Sequence, residues 1–394
     1  MPWEAMSEQD LRREFVVAAS REGANVRQLC RRFGISAKTG YKWLSRYRAS
    51  GEAGLVEVSR RPHGSPSRVS QVIEAAVLEV RVAHPAWGGR KIKRVLERTG
   101  HTAPAASTVT QILRRNGIEL GATGGHEGPW QRFEHEKPND LWQMDFKGHV
   151  PLADRSRLHP LTVLDDHSRF AVVLKACADE RTPTVRDALI AAFRRYGLPR
   201  TLITDNGAPW GDGPGHPFTP LGVFLIDQGI RVAHARPYHP QTMGKDERFH
   251  RSLKAEALGE LFADLDEAAR RLEAWRHIYN HERPHEAIAM ATPAERYHQS
   301  QRDYLEVVPP FDYAPLDIPR RVQAGGYISF RGTNWRLPKA FRGRTVALRP
   351  TQIDGLYQVF YRHQIIASLN AKHTEGKCQP VTHVSEQVLP LCPV

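Results

Sequence analysis

The sequence predicts a multidomain protein with all-α helix-turn-helix units at the N-terminus, a central α/β domain and a small β-barrel at the C-terminus. Three observations predict it. Up to about residue 118, apolar residues recur at helical spacing between short breaks. From Pro138 onward strand-like runs alternate with helices, and beyond residue 318 short strand-like runs follow one another across turns. The expected divisions are residues 1–58, a linker at 59–70, then 71–125, 135–300, 319–372 and an irregular tail at 373–394.

With 394 residues and 40% hydrophobic content, the chain is long enough for several compact units, each with its own core. Fifty-six Lys and Arg against 43 Asp and Glu give a formal charge of +13. A polyanion is the simplest partner for that surplus, because Lys and Arg displace counterions from phosphates; charge kept for solubility alone is the alternative. The four cysteines, Cys30, Cys177, Cys378 and Cys392, are too scattered for a disulfide framework or a Cys-rich zinc site. No apolar signal core opens the chain, and no run approaches the length of a membrane span. A soluble protein of a reducing compartment is expected.

Near the N-terminus, Val26, Leu29, Cys30 and Phe33 stand at helical spacing, Gly34 supplies a turn, and Ser36 can cap a helix from Ala37 to Tyr47. Tyr41, Leu44 and Tyr47 would form its apolar stripe. Lys38, Lys42 and Arg46, with Arg48, would carry its cations toward DNA phosphate in a major groove. A plain helical packing module is the alternative. The stretch Ser59 to Arg68, rich in Pro, Gly, Ser and Arg, reads as a basic linker. Helices through Val72–Val80 and Ile92–Leu96 follow, the second flanked by Arg90, Lys91 and Arg94. A third helix through Val109 and Leu113 stops at Asn116-Gly117, which completes a second helix-turn-helix-like unit.

In the central domain, Leu141 to Val150, Leu158 to Leu164 and Arg169 to Ala176 read as strands, followed by a helix from Thr182 to Tyr196 and a strand from Arg200 to Thr204. Gly222 to Gln228 belongs to a helix, Ile230 to Ala235 to a fifth strand, and Lys245 to Leu258 to a further helix. Another, from Leu265 to Tyr279, closes the domain. Beyond a Pro-rich connector, Tyr327–Phe330, Trp335–Leu337, Thr345–Leu348, Tyr357–Tyr361 and Gln364–Ala367 are the five short strands of the expected barrel.

Three acids stand where chemistry would need them. Asp145 lies in the first strand, Asp205 directly follows the fourth, and Glu247 opens the helix after the fifth. A strand end beside a polar loop projects a carboxylate into a cleft without burying it unpaired, and Asn206-Gly207 allows the tight exit this requires. Singly, each aspartate is an ordinary turn or cap residue. The helix carries two adjacent acids, Asp246 and Glu247, and its phase separates them. Phe249, Leu253 and Ala257 mark the buried stripe; Asp246 borders it, whereas Glu247 is about 200° away from Phe249, on the face of Arg251 and Lys254. A Glu247–Arg251 surface pair is the alternative reading.

Hard oxygen ligands select Mg²⁺, with Mn²⁺ as a substitute, over zinc. Two such ions about 4 Å apart suit an in-line phosphoryl displacement. Three clustered carboxylates repel one another, and metal relieves the conflict.

Together the segments Trp142-Gln143-Met144-Asp145, Thr204-Asp205-Asn206-Gly207, His239 to His250 and Tyr279 to His285 resemble the DDE-type transposases of bacterial insertion sequences, whose catalytic core is like that of retroviral integrases. His84-Pro85-Ala86-Trp87-Gly88-Gly89-Arg90-Lys91-Ile92 extends the resemblance upstream. It implies a ribonuclease-H-like core with a mixed five-stranded sheet, Asp145, Asp205 and Glu247 as catalytic and metal-binding triad, and Lys254, with Arg251 on the same helix face, toward DNA. It further implies double-stranded DNA as partner, at element ends and target, a homodimer or higher multimer on DNA, and a bacterial cytoplasmic, nucleoid-associated location. Two departures stand out. Asp205 and Glu247 are 42 positions apart, wider than is usual in the family, with Gly211 to Pro217 as the apparent insertion. The integrases' N-terminal zinc module has no counterpart, since Cys30 is the only cysteine before the core. The expected function is metal-dependent DNA cleavage and strand transfer. The rivals are a non-catalytic DNA-binding descendant of such an enzyme and a ribonuclease-H-like nuclease that cuts without joining.

Overall fold

The computed structural model describes residues 7–57, 69–119, 134–211, 217–235, 244–372, 378–383 and 386–387. The basic linker, most of the Gly211–Pro217 insertion and His239 to Met243 lie largely outside them. The chain divides into two compact units, Met1–Arg68 and Val69–Val394. No described helix is long and apolar enough to cross a membrane.

The first unit holds three helices, α1 (Glu8–Ala19), α2 (Val26–Arg32) and α3 (Ala37–Ser50). Each starts on a polar cap: Ser7, Asn25 and Ser36 accept from the amides of Asp10, Gln28 and Thr39. Phe15, Val16, Cys30, Trp43, Leu44 and Leu55 form the core. Gly40 explains how closely the helices meet, because a Cβ there would overlap Cys30 Sγ and the Phe15 ring. The stripe of α3 differs from expectation at one position. Trp43 takes the buried place, and Tyr41 is 50% exposed on the outward face with Lys38 and Lys42.

In the second unit, α4 (Gln71–Ala83), α5 (Gly89–Arg98) and α6 (Ala106–Arg115) pack around Val77, Trp87, Ile92, Leu96, Val109, Ile112 and Leu113. The core that follows has β1 (Leu141–Phe146), β2 (Val150–Pro151), β3 (Arg157–Asp165), β4 (Ala171–Cys177), α7 (Thr182–Tyr196), β5 (Thr201–Thr204), α8 (Pro220–Asp227), β6 (Arg231–His234), α9 (Gly244–Glu256), α10 (Leu265–His281) and α11 (Pro293–Arg296). β4, β3 and β1 run antiparallel to their neighbours, and β1, β5 and β6 run parallel. These five strands make the mixed sheet. The short β2 joins it beside β3.

Alternation along β1 assigns its faces. Trp142 and Met144 enter the cluster with Val185, Leu189 and Phe193 of α7 and Leu221 and Leu225 of α8. Gln143 and Asp145 therefore point to the opposite face. On that face Leu164, Ala171 and Leu174 pack against Phe249 and Leu253 of α9 and Leu272 and Trp275 of α10.

Two buried side-chain amides serve backbone groups on the outer strands β4 and β6 of this sheet. Asn280 accepts from Ala171 N–H at 2.8 Å and donates to its carbonyl at 3.1 Å. Gln364 does the same for Val232, at 3.0 and 2.8 Å. Each amide supplies what a further strand would supply.

The C-terminal region is not the closed barrel that the sequence suggests. β7 (Ile318–Arg321), β8 (Tyr327–Phe330), β9 (Thr333–Arg336), β10 (Thr345–Pro350), β11 (Leu356–Tyr361), β12 (Gln364–Asn370), β13 (Cys378–Pro380), β14 (Thr382–His383) and β15 (Glu386–Gln387) divide between sheets. Among the described residues one sheet runs β14-β12-β11-β10-β7, a second β13-β9-β8, and β15 joins the core beside β6. The tail thus contributes strands where an irregular segment was expected. Phe218 meets Phe341 edge-on at 5.3 Å, and the region shares its hydrophobic cluster with the core.

Replacing Asn280 by Leu keeps the size of the side chain but leaves the buried Ala171 N–H without a partner, at a cost of about 1–3 kcal/mol. Chemical denaturation of the full chain should show that loss, and an unchanged midpoint would contradict the edge-capping role.

Candidate active site at the edge of the sheet

The register of β1 against β5 pairs Leu141 with Thr201, Trp142 with Leu202 and Gln143 with Ile203. Two residues further on stand Asp145, inside β1, and Asp205, the residue directly after β5, on neighbouring backbone segments about 4.8 Å apart. On its other side Asp145 is paired with Thr162 of β3. Among the described residues the carboxylates accept short-range backbone bonds, Asp145 from Phe146 N–H at 2.8 Å and Asp205 from Gly207 N–H at 3.0 Å.

The first turn of α9 closes the site from above Asp145. Its two acids part as the helix phase requires: Asp246 is 1% exposed, whereas Glu247 faces solvent. The ligand atoms that converge within 4.8 Å of one another belong to Asp145, Asp246 and His250; Asp205 and Glu247 stand outside that group. Thr162 Oγ1 binds it together, 2.9 Å from the Asp145 carbonyl, 3.2 Å from Asp246 Oδ1 and 2.8 Å from His250 Nε2. His250 Nε2 is also 3.2 Å from Asp246 Oδ2.

Asp246 and His250 were not among the expected site residues. The signal was present, because a carboxylate bordering a buried stripe needs a partner, and His250 lies at i+4 on the same face.

Burial dominates the electrostatics. It raises the Asp145 carboxyl to about 6, with the charge of Asp205 adding to the effect. Burial, then the Asp145 charge, holds Asp246 well above the usual carboxylate range. His250 falls to about 4, again through burial, so its ring is neutral at pH 7. Asp145, Asp205 and Glu247 have no ion-pair partner among the described residues, and no Glu247–Arg251 pair forms. Partly and fully exposed carboxylates left without cations are a donor set suited to a hard divalent ion.

The expected DNA-contact residues fall into three groups. Lys38 and Lys42 of α3 are exposed and Arg46 is half-buried, with Lys42 and Arg46 over the Trp43 ring at 4.2 and 5.2 Å. Arg251 and Lys254 are exposed on the Glu247 side of α9. The α5 cations have protein neighbours instead. Arg90 pairs with Glu286 at 2.8 Å, Arg94 with Glu97 at 3.4 Å, and burial lowers Lys91 to about 8 where Arg283 is near. Arg98 adds a two-pronged contact to Glu295 at 2.8 Å. The 84–92 and 279–285 motifs therefore meet at one joint between the α4–α6 unit and the core.

Comparison with known proteins agrees with this architecture. The Integrase core domain family matches residues 135–240 and, by a second model, 228–293. The IS481 family transposase C-terminal domain matches residues 317–377. A Helix-turn-helix domain matches residues 12–63, and a Homeodomain-like domain 39–113. An uncharacterized 31.7 kDa protein of insertion element IS407 from Burkholderia multivorans is 26% identical over 259 residues, 64% of this chain and 90% of the relative. An uncharacterized 39.2 kDa protein of insertion element IS476 from Xanthomonas euvesicatoria is 27% identical over 261 residues, 64% of this chain and 72% of the relative. Among solved structures, the simian T-cell lymphotropic virus intasome in complex with a PP2A regulatory subunit aligns with a TM-score of 0.37 at 16% identity, over 73% of this chain and 96% of that one. Family matches that reach from residue 12 to residue 377, in the order found here, together with the insertion-element relatives, support an insertion-sequence transposase with an integrase-like catalytic core.

Proposed function

We propose that the protein is a DDE-type transposase that binds the ends of a mobile DNA element, cleaves there to expose 3′-hydroxyls, and joins those hydroxyls to target DNA in the same site. The observation that supports this reading is the register of β1 against β5, which carries Asp145 and Asp205 to the same end of the sheet, where the Asp205 charge acts on Asp145 and the first turn of α9 brings Asp246 against Asp145. Asp145, Asp205 and Glu247 would hold the divalent ions, Mg²⁺ or Mn²⁺. Bound there, the ions would lower the pKa of the attacking water or 3′-hydroxyl and neutralise the charge that develops as the phosphoryl group is transferred.

The chain's own residues do the rest. Arg251 and Lys254, exposed one and two turns along α9 from Glu247, would take a backbone phosphate leaving the site. Thr162 and His250 form the inner wall beside Asp145, Thr162 being bonded to the Asp145 carbonyl and to His250. Lys38, Tyr41 and Lys42 present cations around an aromatic ring on the open face of α3, a surface suited to the major groove. Joining two element ends calls for at least two copies of the chain on DNA.

The buried cluster of Asp145, Asp246 and His250 supports a second reading, a single-ion site deeper in the fold. Its weakness is that Asp246 is 1% exposed and its carboxyl is held in the protonated direction, so hydrated metal and DNA phosphate have poor access to it. Glu247 is the acid of that turn that faces solvent.

Three outcomes are expected. Asp205→Asn should lower Mg²⁺-dependent strand transfer on an end-containing oligonucleotide by about 100-fold or more, some 2.7 kcal/mol of activation free energy; equal activity would remove Asp205 from the site. Lys42→Ala should weaken end binding and reduce the slope of log affinity against log salt by about 1, an effect absent if α3 does not touch DNA. The third concerns pH. With Asp145 raised to about 6 against roughly 3.9 in the unfolded chain, the folded metal-free protein holds a proton that the unfolded chain has lost. That contribution to stability is present at low pH and declines as pH rises through about 4 to 6. Metal binding needs the ionised carboxylate. Mg²⁺ should therefore raise the melting temperature clearly near pH 7.5 and little near pH 5, and a stabilisation independent of pH would contradict the role of Asp145.

A further inference from the structure

We infer that Gln143, Asp166 and Lys245 form a positioning network that sets Glu247 against Asp145. The inference rests on the reading of Glu247 as a metal ligand.

The network joins three segments distant in sequence. Lys245 Nζ lies 2.5 Å from Asp166 Oδ2 and donates also to the Asp166 carbonyl at 3.3 Å. Asp166 Oδ1 accepts from Gln143 Nε2 at 2.9 Å, and Gln143 Oε1 accepts from the Asp246 N–H at 3.2 Å. Asp166 is itself anchored, its Oδ2 accepting from His135 N–H and its own N–H donating to the Leu141 carbonyl, both at 2.9 Å. Gln143, Asp166 and Asp246 are 2%, 1% and 1% exposed.

Each contact has a directional consequence. The Asp246 amide is one of the N-terminal donors that a helix cannot satisfy from within itself. Gln143 satisfies it from β1, so a strand side chain caps α9. The amide of Gln143 can take only one orientation: reversed, its NH₂ would face the Asp246 N–H and its oxygen the Asp166 carboxylate. Gln143 is two residues from Asp145 on the same strand face, and Lys245 is two residues from Glu247. Strand and helix are thereby fixed to each other on both sides of the candidate ligands.

Net stability does not account for burying such a pair. A buried ion pair contributes little beyond what apolar packing would, while fixing geometry tightly. Groups that orient metal ligands in this way change metal affinity by about 10–100-fold when removed.

The test uses the full chain and Mn²⁺ alone, followed by electron paramagnetic resonance of the free ion, alongside thermal melting and end-DNA binding. Lys245→Met should raise the half-saturating Mn²⁺ concentration by about 10-fold or more while end binding stays unchanged, and excess Mn²⁺ should restore strand-transfer turnover. Gln143→Met, nearly isosteric, should act in the same direction and serves if Lys245→Met does not fold. Unchanged Mn²⁺ binding in a folded variant, or lost turnover that excess Mn²⁺ does not restore, overturns the network. Glu247→Gln is measured in parallel. If it leaves Mn²⁺ binding intact, the assignment of Glu247 falls and the network with it. If it weakens binding while Lys245→Met and Gln143→Met do not, only the network falls.

Discussion

The parallel pairing of β1 with β5 is the constraint on which the functional edge of this protein depends. With Gln143 opposite Ile203, alternation sends Trp142, Met144 and Leu202 to one face and Asp145 to the other, and brings Asp205, directly after β5, to the same end of the sheet. A slip of one residue would turn Asp145 into the apolar layer beneath α7 and α8 and bring Met144 to the cleft. Burial of Trp142, with its indole N–H donating to Asn139 Oδ1 at 3.1 Å, makes that slip costly. The hydrophobic face of the strand thus enforces the placement of its acidic face.

A second dependence follows from charge. The cleft brings carboxylates together in a chain with a formal charge of +13, and yet Asp145, Asp205 and Glu247 take no cation from the described residues. Lys245, two residues from Glu247, is engaged by Asp166, and Lys147 acts on Asp145 through its field without an ion pair between them. An arrangement that leaves acids unpaired amid available Lys and Arg suits a site whose counter-charge is a divalent ion.

Much of this was legible in the chain itself, for definite reasons. Period-two alternation in Trp142 to Asp145 gives the strand and its faces, and helix phase separates Asp246 from Glu247 as the structure does. What escaped depends on contacts across the fold. Asp246 was expected only to border the apolar stripe; its partners Thr162, His250 and Gln143 come from strand pairing and helix docking that local spacing does not encode. Tyr41 read as core because it is aromatic at helical spacing, whereas Trp43 fills that place. Asp166, between the second and third expected strands, and Asn280, inside the Tyr279 to His285 segment, carry no role that local spacing shows; each serves backbone from a distant part of the chain. Closure of the C-terminal strands likewise turns on long-range pairing, and the chain uses them in two sheets, with β15 added to the core.

The central claim is that divalent metal sits among Asp145, Asp205 and Glu247, outside the inner cluster of Asp145, Asp246 and His250. Anomalous scattering from Mn²⁺ in crystals of the full chain bound to an element-end duplex tests it most directly. The account predicts anomalous peaks ligated by Asp145 and Asp205, with Glu247 completing the set and Asp246 and His250 still bonded to Thr162. A peak ligated by Asp246 and His250, with Asp205 and Glu247 uncoordinated, would contradict it.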